Sequence, residues 1–218
     1  MYSTCFIIIM ATLEQKYQKK TDKEHILDNP DTYIGSVENI SHSLYVYEES
    51  KIQEKSMDYN PGLFKLFDEG IVNCRDHYIR MKQQKDTEHV NQIHIHIENN
   101  KITLYNNGNG IDVEKHPTHK VWIPELIFAH LRTSTNYNKE EKKITGGKNG
   151  FGFKLVLIWS TYGKIETIDH IRKLKYVQEF ENNLDIVHKP KITKNTSKPF
   201  TRVSFIPDYK RLGLSDLS

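Results

Sequence analysis

Glu69 and Asn73 stand four residues apart in Phe67-Asp68-Glu69-Gly70-Ile71-Val72-Asn73-Cys74-Arg75-Asp76, a spacing that on a helix puts both side chains on one face, one turn from each other. A carboxylate in such a pair can take a proton from water, while the neutral amide oxygen binds a hard cation without cancelling the charge of a phosphate that shares it. Taken alone, the pair is a common accident of a solvated helix face. A second element, Asn106-Asn107-Gly108-Asn109-Gly110-Ile111, has two glycines in three residues directly after a predicted strand. They permit backbone conformations closed to other residues and let a flat ligand approach, although a plain turn has the same composition. The third is Gly146-Gly147-Lys148-Asn149-Gly150-Phe151-Gly152-Phe153-Lys154, which enters an apolar segment ending near Trp159. Glycines at a helix start leave N–H groups pointing outward, the helix dipole adds positive potential, and Lys148 and Lys154 add charge, which together suit a phosphate. The spacing is neither that of a G-x-x-x-x-G-K-[ST] loop nor that of a dinucleotide fingerprint.

The elements that must hold these groups follow from pattern. Residues 13–27 are a basic segment with weak helical periodicity, and Pro30 and Gly35 bracket a tight connection through Asp31, Thr32, Tyr33 and Ile34. Leu44–Tyr47 reads as a short strand. Pro61 opens a long helix to about Lys85, with Leu63, Phe64, Phe67, Ile71, Val72 and Cys74 on its apolar face. Residues 92–106 alternate as a hairpin turning at Asn99-Asn100. A short helix over Pro124–Arg132, a polar loop over 133–149, a helix over Phe151–Trp159 and strands across 163–206 complete one compact α/β domain.

A chain of 218 residues, 37% hydrophobic and 27% charged, is ordinary for a single globular domain. The net charge of +3 is too small to announce nucleic-acid binding. Cys5 and Cys74 give neither metal spacing nor a disulfide framework, which points to a reducing, intracellular setting. The apolar run Phe6-Ile7-Ile8-Ile9 is too short to span a bilayer and lacks a basic leader, so no membrane is expected; Met10 is the expected start, the first nine residues being an upstream extension.

The order of the three chemical elements resembles the GHKL ATPase superfamily, and further blocks resemble the eukaryotic-type (type IIA) DNA topoisomerase II branch of it: Tyr17-Gln-Lys-Lys-Thr21, Glu24-His-Ile-Leu27, Pro30-Asp-Thr-Tyr-Ile-Gly-Ser-Val-Glu38, Pro61 to Glu69, Thr133 to Tyr137 and Ile144 to Gly147. That resemblance implies a Bergerat-type α/β two-layer sandwich, a mixed β-sheet covered by helices on one face. It covers residues 15–214 as one ATPase domain with an arm over 15–38, behind an extension over 1–14, and without the family's transducer, TOPRIM and DNA-cleavage domains. It implies MgATP binding and hydrolysis, with ATP-driven closure of a homodimer through the Tyr17 arm. Hydrolysis is expected to be weak, because in the family a transducer lysine reaches the γ-phosphate, and DNA is expected to be handled only by the missing domains.

By the same resemblance, Glu69 is the general base and Asn73 the side-chain ligand of Mg²⁺. Asn107 receives the adenine amino group, Thr201 backs that contact, and Ile111, Ile127 and Phe128 wall the base. Ser134, Thr135 and Asn136 lie near ribose and phosphate, and Gly147, Lys148, Asn149, Gly150, Phe151, Gly152, Phe153 and Lys154 form the phosphate lid. Four residues depart from the family pattern: Gly70 replaces an apolar residue, Arg75 a small one, Asp112 a proline and Phe153 an alanine. Phe153 puts the geometry of the phosphate site in most question.

Two other readings stay open on the residues: a non-catalytic ATP-sensing or dimerisation module, and another GHKL ATPase of chaperone or mismatch-repair type. The sequence suits a protist or large DNA virus, and a nuclear or viral replication site. His94, His96, His116 and His119 read as structural or solvated, Lys139 to Lys143 as a solvated loop, and Cys74 as a buried helix residue.

Overall fold

The computed structural model describes residues 19–84, 89–131 and 152–217. Tyr17, Ser134, Thr135, Asn136, Gly147, Lys148, Asn149, Gly150 and Phe151 therefore lie outside the described residues.

The first helix, α1 (Asp22–Asp28), begins with a reciprocal cap: the Thr21 hydroxyl accepts from the Glu24 N–H, and the Glu24 carboxylate accepts from the Thr21 N–H. Residues 30–33, expected as a loop, form a helical turn, α2 (Pro30–Tyr33), because Pro30 sits at its first turn with φ already helical. Next comes a hairpin longer than the four-residue strand expected: β1 (Ile40–Glu48) pairs antiparallel with β2 (Lys51–Tyr59). Periodicity missed β2 because nearly every residue of it is exposed, so no inward row of apolar residues marks it.

Helix α3 (Pro61–Gln84) starts where Asn60 accepts from the Leu63 N–H; the same buried amide donates to the Val37 and Leu212 carbonyls, locking the helix start to both ends of the domain. Its buried stripe runs Gly62, Leu66, Gly70, Cys74 and Met81, rather than through Phe64, which is exposed. Of the expected face, Cys74 is buried and Leu63, Phe67 and Ile71 pack against the core, while two glycines occupy inward positions that an apolar count cannot see.

Strands β3 (Ile93–Glu98) and β4 (Lys101–Asn107) form the expected hairpin, followed by α4 (Ile123–Ala129), α5 (Gly152–Ile158), β5 (Ser160–Ile168), β6 (Leu174–Glu181), β7 (Ile186–Val187), β8 (Lys191–Lys194) and β9 (Phe200–Pro207). The sheet order is β3-β4-β9-β5-β6-β7, with β8 also on β6. All described ladders are antiparallel, which corrects the expected mixed sheet. Alternation along β4, β9 and β5 puts Ile102, Leu104, Val203, Phe205 and Ile165 on the buried side, and the helices pack on that side. Helix α5 is buried from Phe153 through Ile158 and touches α1, α3, α4, β5 and β9, so it is the centre of the core. A helix whose residues are apolar on every side, Lys154 excepted, is driven into the core.

Candidate functional site

On α3, Glu69, Asn73 and His77 recur every four residues and so share one face. At one end of this row a Glu69 carboxylate oxygen lies close to Gly152, where a side-chain carbon would come within 3.5 Å of it. At the other end His77 abuts Gly108, whose φ is +120° and where a side chain would press on the His77 ring and Val90. Asn73 thus stands between the start of α5 and the glycine loop after β4. Its amide nitrogen donates to the Glu69 carbonyl one turn back, and this leaves Oδ1 as the atom offered to a ligand. The two residues read from sequence as general base and cation ligand are on one face, as expected.

Glu69 is held from below by Lys65, whose ammonium lies 2.8 Å from its carboxylate and 3.1 Å from that of Asp68. The bond to Glu69 is the largest influence raising the Lys65 pKa above its ordinary value. The sequence carried a signal for this partner, an acidic residue four positions after a lysine, which had been passed over.

The end of β4 requires a correction. Ile102, Leu104 and Asn106 point to the helix side, so Asn107 points to the other side. There its Oδ1 accepts from the Asn91 and Gln92 N–H groups at 2.9 Å each, and its amide donates to Asn91 Oδ1. The expected adenine contact at Asn107 is not where its side chain lies. Asn106 occupies the inward position, buried and opposite Thr201 across the β4–β9 ladder. Its amide donates to the Asn107 carbonyl at 2.8 Å; an amide facing a carbonyl must present nitrogen, which leaves Oδ1 as the remaining acceptor. The signal was available as a polar residue in phase with Ile102 and Leu104.

Around Thr201 the hydroxyls are fully assigned. Thr167 donates to the Phe200 carbonyl at 2.9 Å and accepts from the Ile111 N–H at 3.0 Å. Its proton is spent, so Thr201, 3.2 Å away, donates to it and keeps its own acceptor capacity. Gly110, with φ +72°, passes so close to β5 that a side chain there would sit 1.9 Å from the Ile168 carbonyl oxygen. The turn after β5 grips the rest of the loop: Asp169, 1% exposed, accepts from the Val113, Ile171 and Arg172 N–H groups, and His170 N–H donates to the Asn109 carbonyl. Asp112, the departure from proline, is paired to Arg172 at 2.6 Å, and Arg172 also pairs with Glu114 and Asp169. These partners raise the Arg172 pKa further, the Asp169 bond contributing most. Asp169 and Thr167 were missed by sequence reasoning, which gave residues 163–206 only as strands.

Ile111 and Ile127 are partly buried against the core, and Phe128 is buried within it. The Phe153 side chain packs inward: it meets Phe128 and Phe205 edge-on at centroid distances of 5.3 and 5.9 Å, 7% exposed. Lys154 is also buried, and desolvation pulls its ammonium down to about 8. Arg75 is exposed and lies 3.5 Å from the Asp76 carboxylate. Cys74 is buried and its thiol is pushed up to about 11, so it is no nucleophile. His96 pairs with Glu98, and the His116 ring accepts from the backbone at 118 and 119, both structural roles. Among the described residues no three His, Cys, Asp or Glu side chains converge as a metal cage, and no helix is long and apolar enough to cross a membrane.

Residues 59–210 match the model of the histidine kinase-, DNA gyrase B- and HSP90-like ATPases. The chain is 44% identical over 212 residues to DNA topoisomerase 2 of Acanthamoeba polyphaga mimivirus, aligning 94% of this chain with 16% of that protein. It is 46% identical over 210 residues to DNA topoisomerase 2 of Saccharomyces cerevisiae, aligning 95% of this chain with 14% of that protein. Among solved structures it is similar to the ATPase region of Saccharomyces cerevisiae topoisomerase II, with a TM-score of 0.87 and 45% identity over 93% of this chain and 53% of that one. The chain therefore spans a small part of the curated relatives and about half of that solved region.

Proposed function

The chain belongs to the histidine kinase-, DNA gyrase B- and HSP90-like ATPases, as a homologue of the ATPase region of DNA topoisomerase 2, and from that premise we propose that it binds MgATP and hydrolyses it on behalf of a DNA strand-passing enzyme. The observation that carries this is the row Glu69–Asn73 between Gly152 and the Gly108 loop, with an oriented amide acceptor at Asn106 closing its far end. Adenine enters against Ile111, Ile127 and Phe128, and its amino group donates to Asn106 Oδ1. Thr201 supplies the hydroxyl beside that contact. Glu69 takes the proton of the attacking water, and Lys65 keeps its carboxylate turned towards the start of α5.

The donor set suits a magnesium ion that arrives with the nucleotide, since one neutral oxygen from Asn73 leaves the remaining positions to phosphate and water. Bound there, the ion would neutralise charge building on the transferred phosphoryl group. Ser134, Thr135, Asn136, Gly147, Lys148, Asn149, Gly150 and Phe151 complete the ribose and phosphate contacts in this reading, together with Gly152 and Lys154. Two copies close over nucleotide through the Tyr17 arm. DNA is engaged by other domains, in the nucleus or at a viral replication site.

Titration with ATP and Mg²⁺ tests the assignment. Wild type binds; Glu69→Ala binds without turnover. Asn106→Ala loses about tenfold or more in affinity, the scale of one buried hydrogen bond left unmade. Asn107→Ala stays near wild type because its side chain is on the far side of the sheet. Loss at Asn107 with retention at Asn106 would return the adenine contact to Asn107, and no binding by wild type at millimolar ATP would sink the reading as a whole.

A further inference from the structure

Gly70 and Phe153 are the two departures with most bearing on the site, and they meet. A side-chain carbon at Gly70 would fall 3.4 Å from Cε2 of Phe153 and 2.3 Å from Cδ1 of Leu104. The first distance is a tight contact and the second an impossible one unless Leu104 moves. The Phe153 ring borders the same space and is itself set edge-on against Phe128 and Phe205, which restricts the room Leu104 has to give way. Gly70 lies inside a 24-residue helix, where glycine costs about 1 kcal/mol relative to alanine. Its presence therefore has a packing reason: the missing methyl is the room that the large ring and Leu104 require.

The neighbours of this pair give it a role. The residue before Gly70 is Glu69, the residue before Phe153 is Gly152, and these two also meet across the same helix crossing. Two consecutive residues of α3 thus lie against two consecutive residues of α5, one juxtaposition apolar and buried, the other polar and facing the site. We propose that Gly70 and Phe153 act as a matched positioning pair that sets the spacing between the Glu69 carboxylate and the entry of α5, where a triphosphate would lie. This rests on the nucleotide-site reading above. Phe153 is a positioning residue, acting through α5, its ring packed against Phe128 and Phe205.

A mutant cycle decides it: wild type, Gly70→Ala, Phe153→Ala and the double variant, each measured for thermal midpoint and for affinity towards a non-hydrolysable ATP analogue with Mg²⁺. Each single change lowers both, by overpacking at Gly70 and by a cavity at Phe153. In the double variant Leu104 swings into the vacated space, so midpoint and affinity lie closer to wild type than the sum of the singles, with affinity recovering at least fivefold over the weaker single. Phe153→Leu replaces Phe153→Ala in the cycle if the latter fails to fold. Additive effects on both readouts overturn the pair. Coupling in the midpoint with additive affinity overturns the positioning role and leaves a packing contact. If no variant, wild type included, binds the analogue, the nucleotide reading falls and the positioning role falls with it, whereas the midpoints still report whether the two residues are matched.

Discussion

Asn106 and Asn107 show how much a single backbone step matters. Adjacent and chemically identical, they differ in the face of β4 they occupy, and that alone gives one an inward acceptor and the other a brace to Asn91 and Gln92. At the same scale Lys154 carries a pH signature. Burial depresses its folded value to about 8 from the ordinary 10.5, so between these limits the unfolded chain holds a proton that the folded chain has released. Below pH 8 both states are protonated and the desolvation penalty is present in full. The contribution of this residue to stability therefore rises as pH climbs from 8 towards 10.5. The midpoint difference between wild type and Lys154→Met, followed from pH 7 to 10, should move in favour of wild type across that window; a difference that stays flat would contradict it.

At the scale of elements, the glycine loop after β4 is shaped less by its own residues than by the β5–β6 turn that receives it. Thr167, Asp169 and His170 take up the backbone of Asn109, Ile111 and Val113, and Arg172 ties Asp112 and Glu114 to the same turn. A plain flexible turn would have left those groups to water. Gly110→Ala should therefore be severe, because positive φ and a backbone collision at Ile168 act together; a loss of about 3 kcal/mol or more in urea unfolding is expected. Gly152→Ala makes the useful contrast, since a methyl there meets only the Glu69 carboxylate at ordinary contact distance and should leave stability within about 1 kcal/mol. A Gly110→Ala protein as stable as wild type would mean that the loop is not held by β5.

At the scale of the molecule, α5 is the element on which the rest converges, touching three other helices and two strands. Substitutions that loosen it should be felt both at the nucleotide and in the fold, as in the Gly70 and Phe153 cycle. Assembly belongs to this scale as well. Sedimentation of the chain is expected to give a monomer alone and a dimer with a non-hydrolysable ATP analogue and Mg²⁺, with Tyr17→Ala abolishing the shift; a monomer under both conditions would count against arm exchange. The sequence by itself determined the order of elements that carry chemistry, the helix bearing Glu69 and Asn73, the β3–β4 hairpin and the α/β character, because period, glycine spacing and capping residues act locally along the chain. Only the tertiary structure decided that Asn106 rather than Asn107 faces the helices, that the Phe153 ring is in the core, that Asp112 has Arg172 for a partner, and that the sheet is antiparallel in its described ladders. Each of these depends on what lies across a gap of tens of residues, and a side chain's face, partner or cavity has no local signature until the strand or helix opposite is in place.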